Sequence, residues 1–209
     1  MIAYKFLCAG RIAPFTRHAW PEPGEWVAGK DGGQTTICLD GVHACRPRDL
    51  PLWVDEELWE IELSGAIVEG DSKLAAERGR LTRRVGAWNP GTAGDYALAC
   101  ALRTRDHALW ALRASGMPQD LDVAESLAHA YTAREIEAVA EAAEPSATEA
   151  VRPAIGFAAD AAGSALDDAC AEGAYIAAHA AGVIRGDGAE AAERAWQAGW
   201  LAERLELQV

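Results

Sequence analysis

The amino-acid composition changes abruptly near Trp88, and this change limits the folds open to the chain. Residues 1–88 carry a net charge of −2 and hold five of the eight tryptophans, whereas residues 89–209 carry a net charge of −11 and are rich in alanine. Alanine has the highest intrinsic helix propensity. An Asn-Pro-Gly turn sequence occupies residues 89–91. We therefore predict an α+β fold, in which a mixed or β-rich module packs on an alanine-rich helical bundle (residues 92–209), as two domains or as one composite domain.

Segments with strand character recur through the first module. In residues 58–68, Trp, Ile and Leu alternate with Glu at the start, which is typical of a half-buried strand. A Gly-Asp-Ser turn sequence follows, so we expect residues 81–85 to return as a second strand. Further strands are predicted at residues 2–8, 35–39 and 42–45, with a turn or short helix at residues 49–55.

Helical spacing of apolar residues marks the second module. Capping boxes, in which Glu follows Ser or Thr by three residues, predict helix starts at Thr132 and Ser146. Pro153 suits the first turn of a long helix whose buried face runs on to Ala180. Two more helices are predicted at residues 95–114 and 189–205.

The charge and the cysteine content exclude several classes of protein. A net charge of −13 disfavours nucleic acid and anionic membranes as the main partners. No apolar run approaches the roughly 20 residues of a membrane span, and the start of the chain lacks the pattern of a signal peptide. The five cysteines are an odd number, spread widely along a chain without an export signal, so we expect reduced thiols. No pair has the Cys-x-x-Cys spacing of a zinc ribbon or redox motif, and we expect no metal and no cofactor. The chain is predicted to be cytoplasmic.

The densest group of reactive side chains lies at residues 38–48. His43 is the predicted general acid or base, since an unperturbed imidazole titrates near neutral pH. Cys45 would share a strand face with His43, and neighbouring positive charges would favour its nucleophilic thiolate. Asp40 completes the predicted catalytic group. The alternative is that Cys45 is a core residue and His43 a hydrogen-bonded turn residue. A zinc site of Cys38, His43 and Cys45 is disfavoured, because the spacing is irregular and no fourth ligand is close by.

Arginines form the predicted anion-binding group, since the guanidinium fork matches carboxylate, phosphate and sulfate. Two tryptophans of the same module could form the walls of a ligand pocket. In the alternative interpretation the arginines pair with nearby carboxylates and the tryptophans belong to the core. The predicted substrate-binding residues are Arg46, Arg48, Arg83, Arg84, Trp53 and Trp59.

Two stripes of polar and aromatic residues recur at helical spacing. The first stripe comprises Tyr96, Cys100, Arg103, His107 and Trp110. We interpret it as a docking face for the N-terminal module or as the second wall of a site. The second stripe comprises Asp168, Glu172, Tyr175 and His179. We interpret it as a solvated helix flank, and the alternative is metal binding or proton transfer.

The N-terminal module resembles a family of actinobacterial proteins that has no assigned activity. The resemblance rests on residues 4–7 (YKFL), 26–27 (WV), 41–46 (GVHACR) and 58–65 (LWEIELSG), and it covers about two fifths of the chain. It implies a shared module and no particular chemistry.

A second resemblance is to ADP-ribosyltransferases that carry an Arg, a Ser-Thr-Ser element and a Glu-x-Glu motif. Arg11, Thr35 and Thr36, and then Glu60 and Glu62, follow that order. In that family the arginine and serine hold NAD and the final glutamate is catalytic. Here two threonines replace the Ser-Thr-Ser element and the intervals are shorter than in the family.

These observations predict a bacterial enzyme that acts on an anionic small molecule in specialised metabolism, through lyase or transferase chemistry with general acid–base catalysis. His43 would carry the proton, while Arg46, Arg48 and either Arg83 or Arg84 would hold the anion. The rival prediction is a non-catalytic protein whose acidic helices bind a protein partner or a second copy of the chain.

Overall fold

The computed structural model describes residues 1–29 and 35–208 and contains an antiparallel five-stranded sheet followed by helices. The predicted α+β class is therefore confirmed. The chain divides into two compact units, one formed by Met1–Pro90 together with Ala198–Val209 and the other by Gly91–Gln197.

The sheet of the first unit is built around a long hairpin. Its strands are β1 (Ile2–Leu7), β2 (Val27–Ala28), β3 (Val42–Ala44), β4 (Glu57–Glu69) and β5 (Leu74–Arg84), with a 3-10 helix at Pro47–Leu52. Strand β4 pairs with β5 in the hairpin and with β1 on its other edge. The free edge of β5 pairs with both β2 and β3.

A backbone pair between Tyr4 and Cys45 closes this sheet into a ring. The Tyr4 N–H donates to the Cys45 carbonyl (2.9 Å), and the Cys45 N–H donates to the Tyr4 carbonyl (2.8 Å). Because Cys45 directly follows β3, the pairing runs from β1 through β4, β5 and β3 back to β1. Side chains fill the inside of such a small barrel. The buried cluster here includes Ala3, Leu7, Trp20, Val42, Ile61 and Leu74.

The second unit is helical and its core is largely alanine. The helices are α1 (Pro90–Ser115), α2 (Pro118–Ala128), α3 (Ala133–Ala143), α4 (Arg152–Leu166), α5 (Cys170–Arg185) and α6 (Ala189–Arg204), whose last residues are grouped with the sheet. Alanine lets helices approach closely because the distance between packed helices depends on the side chains between them. Among the described residues, none of the helices is both long and apolar enough to cross a membrane.

One predicted strand is wrong. Residues 35–39 enter a tight turn in which the Thr36 N–H donates to the Asp40 carbonyl (2.9 Å). Cys38 adopts a positive φ of 68° in this turn. An extended strand cannot contain that conformation, so the β-branched residues in front of Cys38 do not continue as a strand.

Two helix predictions also need correction. Ser146 does not start a helix, because its hydroxyl donates to the Ala143 carbonyl (3.0 Å) behind it, and α4 begins only at Arg152. The long helix predicted after Pro153 ends at Leu166, and α5 starts at Cys170. Asp168, with a φ of 56°, lies in the turn between the two helices and not on the stripe assigned to it. The capping box at Thr132 is confirmed.

Candidate functional site

An open pocket of about 430 Å³ lies on the first unit, beside the start of β1. Its lining residues come from β1, from the segment after β3 and from the end of the chain: Met1, Ile2, Tyr4, Arg46, Pro47, Arg48 and Gln208. The buried Tyr4 hydroxyl accepts a hydrogen bond from the Gln208 N–H (3.0 Å), which holds the chain end against β1. Sequence analysis had selected Arg46 and Arg48 but missed Tyr4 and Gln208, which lie 204 residues apart.

Arg46 is the anchor of the segment that forms one side of the pocket. Its Nε donates to Asp49 Oδ2 (2.5 Å) and its Nη1 to Glu69 Oε2 (3.1 Å). Its Nη2 donates to the carbonyls of Gly70 (2.8 Å) and Asp71 (3.0 Å). The hydrogen bond to Asp49 is the main cause of the raised pKa of Arg46. Carboxylates and carbonyls thus occupy this guanidinium, which leaves it little capacity for a ligand.

Arg48 has a different environment from Arg46. Its side chain is 69% exposed, and among the described residues its ion-pair partner is Asp49, whose Oδ1 lies 4.0 Å from Arg48 Nε. Asp49 is already bound to Arg46 through its other oxygen. The charge of Arg48 is therefore poorly compensated at the pocket.

The other two predicted anion-binding arginines are engaged on the sheet. Arg83 forms two hydrogen bonds with Glu60, which also raise its pKa. Arg84 lies 3.7 Å from Glu57. Neither arginine lines the pocket beside β1. Pairing with carboxylates, the alternative left open by the sequence, describes both of them.

The two predicted pocket-wall tryptophans also lie outside this pocket. The indole N–H of Trp53 donates to the Ser72 carbonyl (2.8 Å). Trp59 is buried in the core of the sheet unit and donates to Glu57 Oε2 (3.0 Å). Both tryptophans therefore support the packing of the unit.

His43 is bonded within the turn that precedes β3. Its Nε2 accepts a hydrogen bond from the Cys38 N–H (3.0 Å), while Asp40 Oδ1 accepts one from the Gly41 N–H (2.8 Å). Partial burial lowers the pKa of His43, and the positive charges of Lys5 and Lys73 lower it further. Because Nε2 accepts the Cys38 N–H, it carries no proton in this arrangement, and the imidazole helps to hold the turn. Its role in catalysis stays a prediction.

Cys45 is 3% exposed, and its thiol donates to the Tyr4 carbonyl (3.3 Å). Burial raises the pKa of this thiol to about 12. A thiol with that pKa stays protonated near neutral pH, whereas nucleophilic catalysis requires the thiolate. The geometry thus favours a core role for Cys45.

The charged residues of the ADP-ribosyltransferase pattern, Arg11, Glu60 and Glu62, are engaged in ion pairs. Arg11 Nη2 lies 2.5 Å from Glu22 Oε1, and Arg80 Nη2 lies 2.7 Å from Glu62 Oε2. An NAD molecule would have to displace these partners to use these residues.

One group of side chains has the composition of a metal site. Cys8, Asp55 and Glu56 offer ligand atoms within 4.8 Å of one another. The thiol of Cys8 donates to Asp55 Oδ2 (3.5 Å), and Glu56 Oε2 accepts from the Ala9 N–H (2.6 Å). Three ligands without an imidazole fall short of the four-coordinate set of structural zinc. The group therefore does not complete a structural zinc site by itself.

The first helical stripe supplies a buried ion pair inside the second unit. Arg103 and His107 both contact the carboxylate of Glu193, whose side chain is 1% exposed. Sequence analysis missed Glu193 because it belongs to α6, about 90 residues further along the chain. Its signal was weak, since nothing distinguishes Glu193 in the sequence from the acidic residues around it.

Comparison with known proteins adds no family to these observations. No protein-family model, curated protein or solved structure matches the chain.

Proposed function

We propose that the sheet unit binds an anionic small molecule in the pocket beside β1, with Arg48 as the residue that contacts the anion. One observation carries the proposal: the exposed guanidinium of Arg48 lines the pocket, and the carboxylate nearest to it is already bound to Arg46. A guanidinium without a close partner is the group that forms bidentate hydrogen bonds with carboxylate, phosphate or sulfate.

The surroundings of Arg48 support a small ligand. Arg46 holds the segment through Asp49 and two backbone carbonyls, so the backbone that carries Arg48 is fixed before a ligand arrives. Such pre-organisation reduces the entropy lost on binding. The remaining lining of Ile2, Tyr4 and Pro47 offers apolar surface beside the charge.

Catalysis on the bound anion is a further part of the proposal that rests on the sequence. His43 is the predicted proton carrier for lyase or transferase chemistry, and it is not among the residues that line the pocket. A cytoplasmic location and a place in bacterial specialised metabolism rest on the sequence in the same way. Binding of the anion is the part that the geometry supports best.

Isothermal titration calorimetry at low salt tests anion binding, with phosphate, sulfate and citrate as separate probes. We expect Arg48→Ala to weaken the affinity for the best probe by about 10- to 100-fold, the range for loss of a charge-assisted hydrogen bond. Arg134→Ala is the matched control, because Arg134 is an exposed arginine on α3 of the other unit. The proposal fails if none of the anions binds, or if Arg48→Ala and Arg134→Ala bind equally well.

A further inference from the structure

Lys5 occupies an unusual position for a lysine, on the inward face of β1. Side chains alternate along a strand, so Lys5 shares a face with Ala3 and Leu7, which are 1% and 0% exposed. Directly across the sheet its partner in β4 is the buried Trp59. Lys5 itself is partly buried, and a fraction of its surface remains in contact with solvent.

The amine of Lys5 has two neighbours, and neither carries a negative charge. Its Nζ donates a hydrogen bond to the His43 carbonyl (2.6 Å) and lies 5.3 Å from the ring centroid of Trp20. Within residues 1–29 and 35–208, no carboxylate forms an ion pair with it. An ammonium ion here has lost much of its hydration and has gained no counter-ion.

Deprotonation of Lys5 removes the free-energy cost of a desolvated ammonium ion without a counter-ion. Burial lowers the pKa of Lys5 to about 8, and the positive charge of Lys73 contributes to the shift. At pH 7.5 roughly a quarter of an amine with such a pKa is neutral, against about 0.1% of a lysine with the ordinary pKa of about 10.4. The neutral amine has a free electron pair, and a desolvated lysine of this kind is a nucleophile.

We propose that Lys5 is a covalent binding site for small apolar aldehydes. The Nζ electron pair attacks the carbonyl carbon of the aldehyde, the carbonyl oxygen leaves as water with two protons, and a C=N bond to Lys5 remains. The indole of Trp20, whose ring centroid lies 5.3 Å from Nζ, is the apolar group beside the amine that the alkyl part of the aldehyde would contact. The site is separate from the anion pocket, since Lys5 is not among the residues that line it.

Lys73 provides a matched comparison within the same molecule. Its Nζ lies 5.0 Å from the ring centroid of Trp53, so it also stacks on an indole and is also partly exposed. It differs from Lys5 in lying at the hairpin turn before β5 and not on the inward face of the ring. Any general preference of aldehydes for lysines beside tryptophan would therefore affect both residues alike.

The test is reductive trapping of the native protein with butanal and cyanoborohydride at pH 7.5, followed by peptide mapping with mass spectrometry. Mapping separates Lys5 from every other amine of the chain. We expect Lys5 to be modified at least about tenfold faster than Lys73, because its larger neutral fraction outweighs its lower basicity. In urea the two lysines are expected to react at similar rates.

Equal rates in the native protein, or slower modification of Lys5 than of Lys73, would overturn the proposal. A Lys5→Arg variant provides a second measurement, since arginine keeps a positive charge but forms no reducible imine. Butanal incorporation into Lys5→Arg should fall by the amount mapped to Lys5 in the wild type. Unchanged total incorporation would also contradict the assignment.

Discussion

Arg103 and Glu193 form a bidentate ion pair in the helical unit, with Nε 3.2 Å from Glu193 Oε1 and Nη2 2.6 Å from Glu193 Oε2. His107 Nε2 contacts the same oxygen at 3.1 Å. Burial alone would raise the pKa of Glu193, but the hydrogen bonds from His107 and Arg103 outweigh it and hold the pKa below its usual value. The carboxylate is therefore ionised in the folded protein, and it satisfies two groups on α1.

We expect Glu193→Gln to destabilise the helical unit by about 3 kcal/mol, since removal of one partner of a buried ion pair leaves the other uncompensated. The exposed Glu190 of the same helix gives a control, and Glu190→Gln should change stability by less than about 0.5 kcal/mol. Urea unfolding followed by circular dichroism measures both values. Equal stability of the two variants would show that the pair contributes nothing.

The stability that comes from Glu193 should depend on pH with a defined sign. The folded pKa of Glu193 lies below that of glutamate in an unfolded chain, so its contribution is complete above the unfolded pKa of about 4.3. The contribution is lost as the pH falls through the folded pKa. The difference in unfolding free energy between wild type and Glu193→Gln should therefore be constant from pH 6 to 7 and should shrink below about pH 4.3. A difference that stays constant or grows as the pH falls below about 4.3 would contradict this account.

Lys5→Met should stabilise the protein near neutral pH. The substitution removes a poorly compensated ammonium from the inward face of β1, which stabilises the fold, and it also removes the hydrogen bond to the His43 carbonyl, which destabilises it. We expect the free energy of unfolding to rise by about 1 to 2 kcal/mol at pH 7. The folded pKa of about 8 lies below the unfolded value. Wild-type stability should thus rise with pH between about 8 and 10.4, and the advantage of Lys5→Met should shrink over the same interval.

Urea unfolding of both proteins at pH 7.0 and pH 9.5 measures this effect. Lys73→Met is the comparison. Lys73 lies outside the inward face, and its charge lowers the pKa of Lys5 only in addition to burial, so the rise of stability with pH should persist in this variant and be smaller than in wild type. A Lys5→Met variant that is less stable than wild type at pH 7 and follows the same pH profile would contradict the prediction.

Local patterns in the sequence predicted the elements whose side chains alternate or repeat regularly. The alternation of Trp59, Ile61 and Leu63 with glutamates identified β4, because the buried residues lie on one face of the sheet. The turn at Thr36 and the break at Asp168 escaped prediction for a common reason. Both depend on a positive backbone φ at a residue that is neither glycine nor asparagine, at Cys38 and at Asp168.

The candidate site was less predictable than the fold, since it depends on contacts between distant segments. Sequence analysis selected Arg46 and Arg48 as equivalent anion ligands. The structure separates them through Glu69, which lies 23 residues after Arg46 and binds it, whereas Arg48 keeps its exposure. Asp49 binds Arg46 more closely than Arg48, and the second carboxylate beside Arg46 comes from the β4–β5 hairpin, whose register composition does not reveal.

The five cysteines should differ in reactivity according to their burial. Cys38 is exposed and should react first with a thiol reagent in the native protein, while Cys8 and Cys170 are partly buried and should follow. Cys45 and Cys100 are buried, and burial raises the pKa of each thiol, so both should react only after unfolding. Mass spectrometry of timed samples measures the order. Rapid modification of Cys45 in the native protein would contradict the core role assigned to it.

His43→Ala tests whether the turn or a reaction depends on the imidazole. The substitution removes the acceptor of the Cys38 N–H, so we expect a loss of about 1 kcal/mol of stability in urea unfolding. Affinity for the anion at Arg48 should not change, because His43 is not among the residues that line the pocket. The control is His129→Ala, which removes an exposed imidazole that contacts the Glu125 carbonyl of its own helical segment.

The sequence-based prediction of catalysis gives His43→Ala a second, separable outcome. Loss of a positioned general acid or base lowers turnover by about 100- to 10,000-fold, whereas a loosened turn in a folded protein does not. Turnover measured on a bound anion at a temperature where both variants remain folded distinguishes the two effects. A folded His43→Ala variant with normal turnover would limit His43 to holding the turn between Cys38 and β3, and a proton carrier would then have to come from another residue.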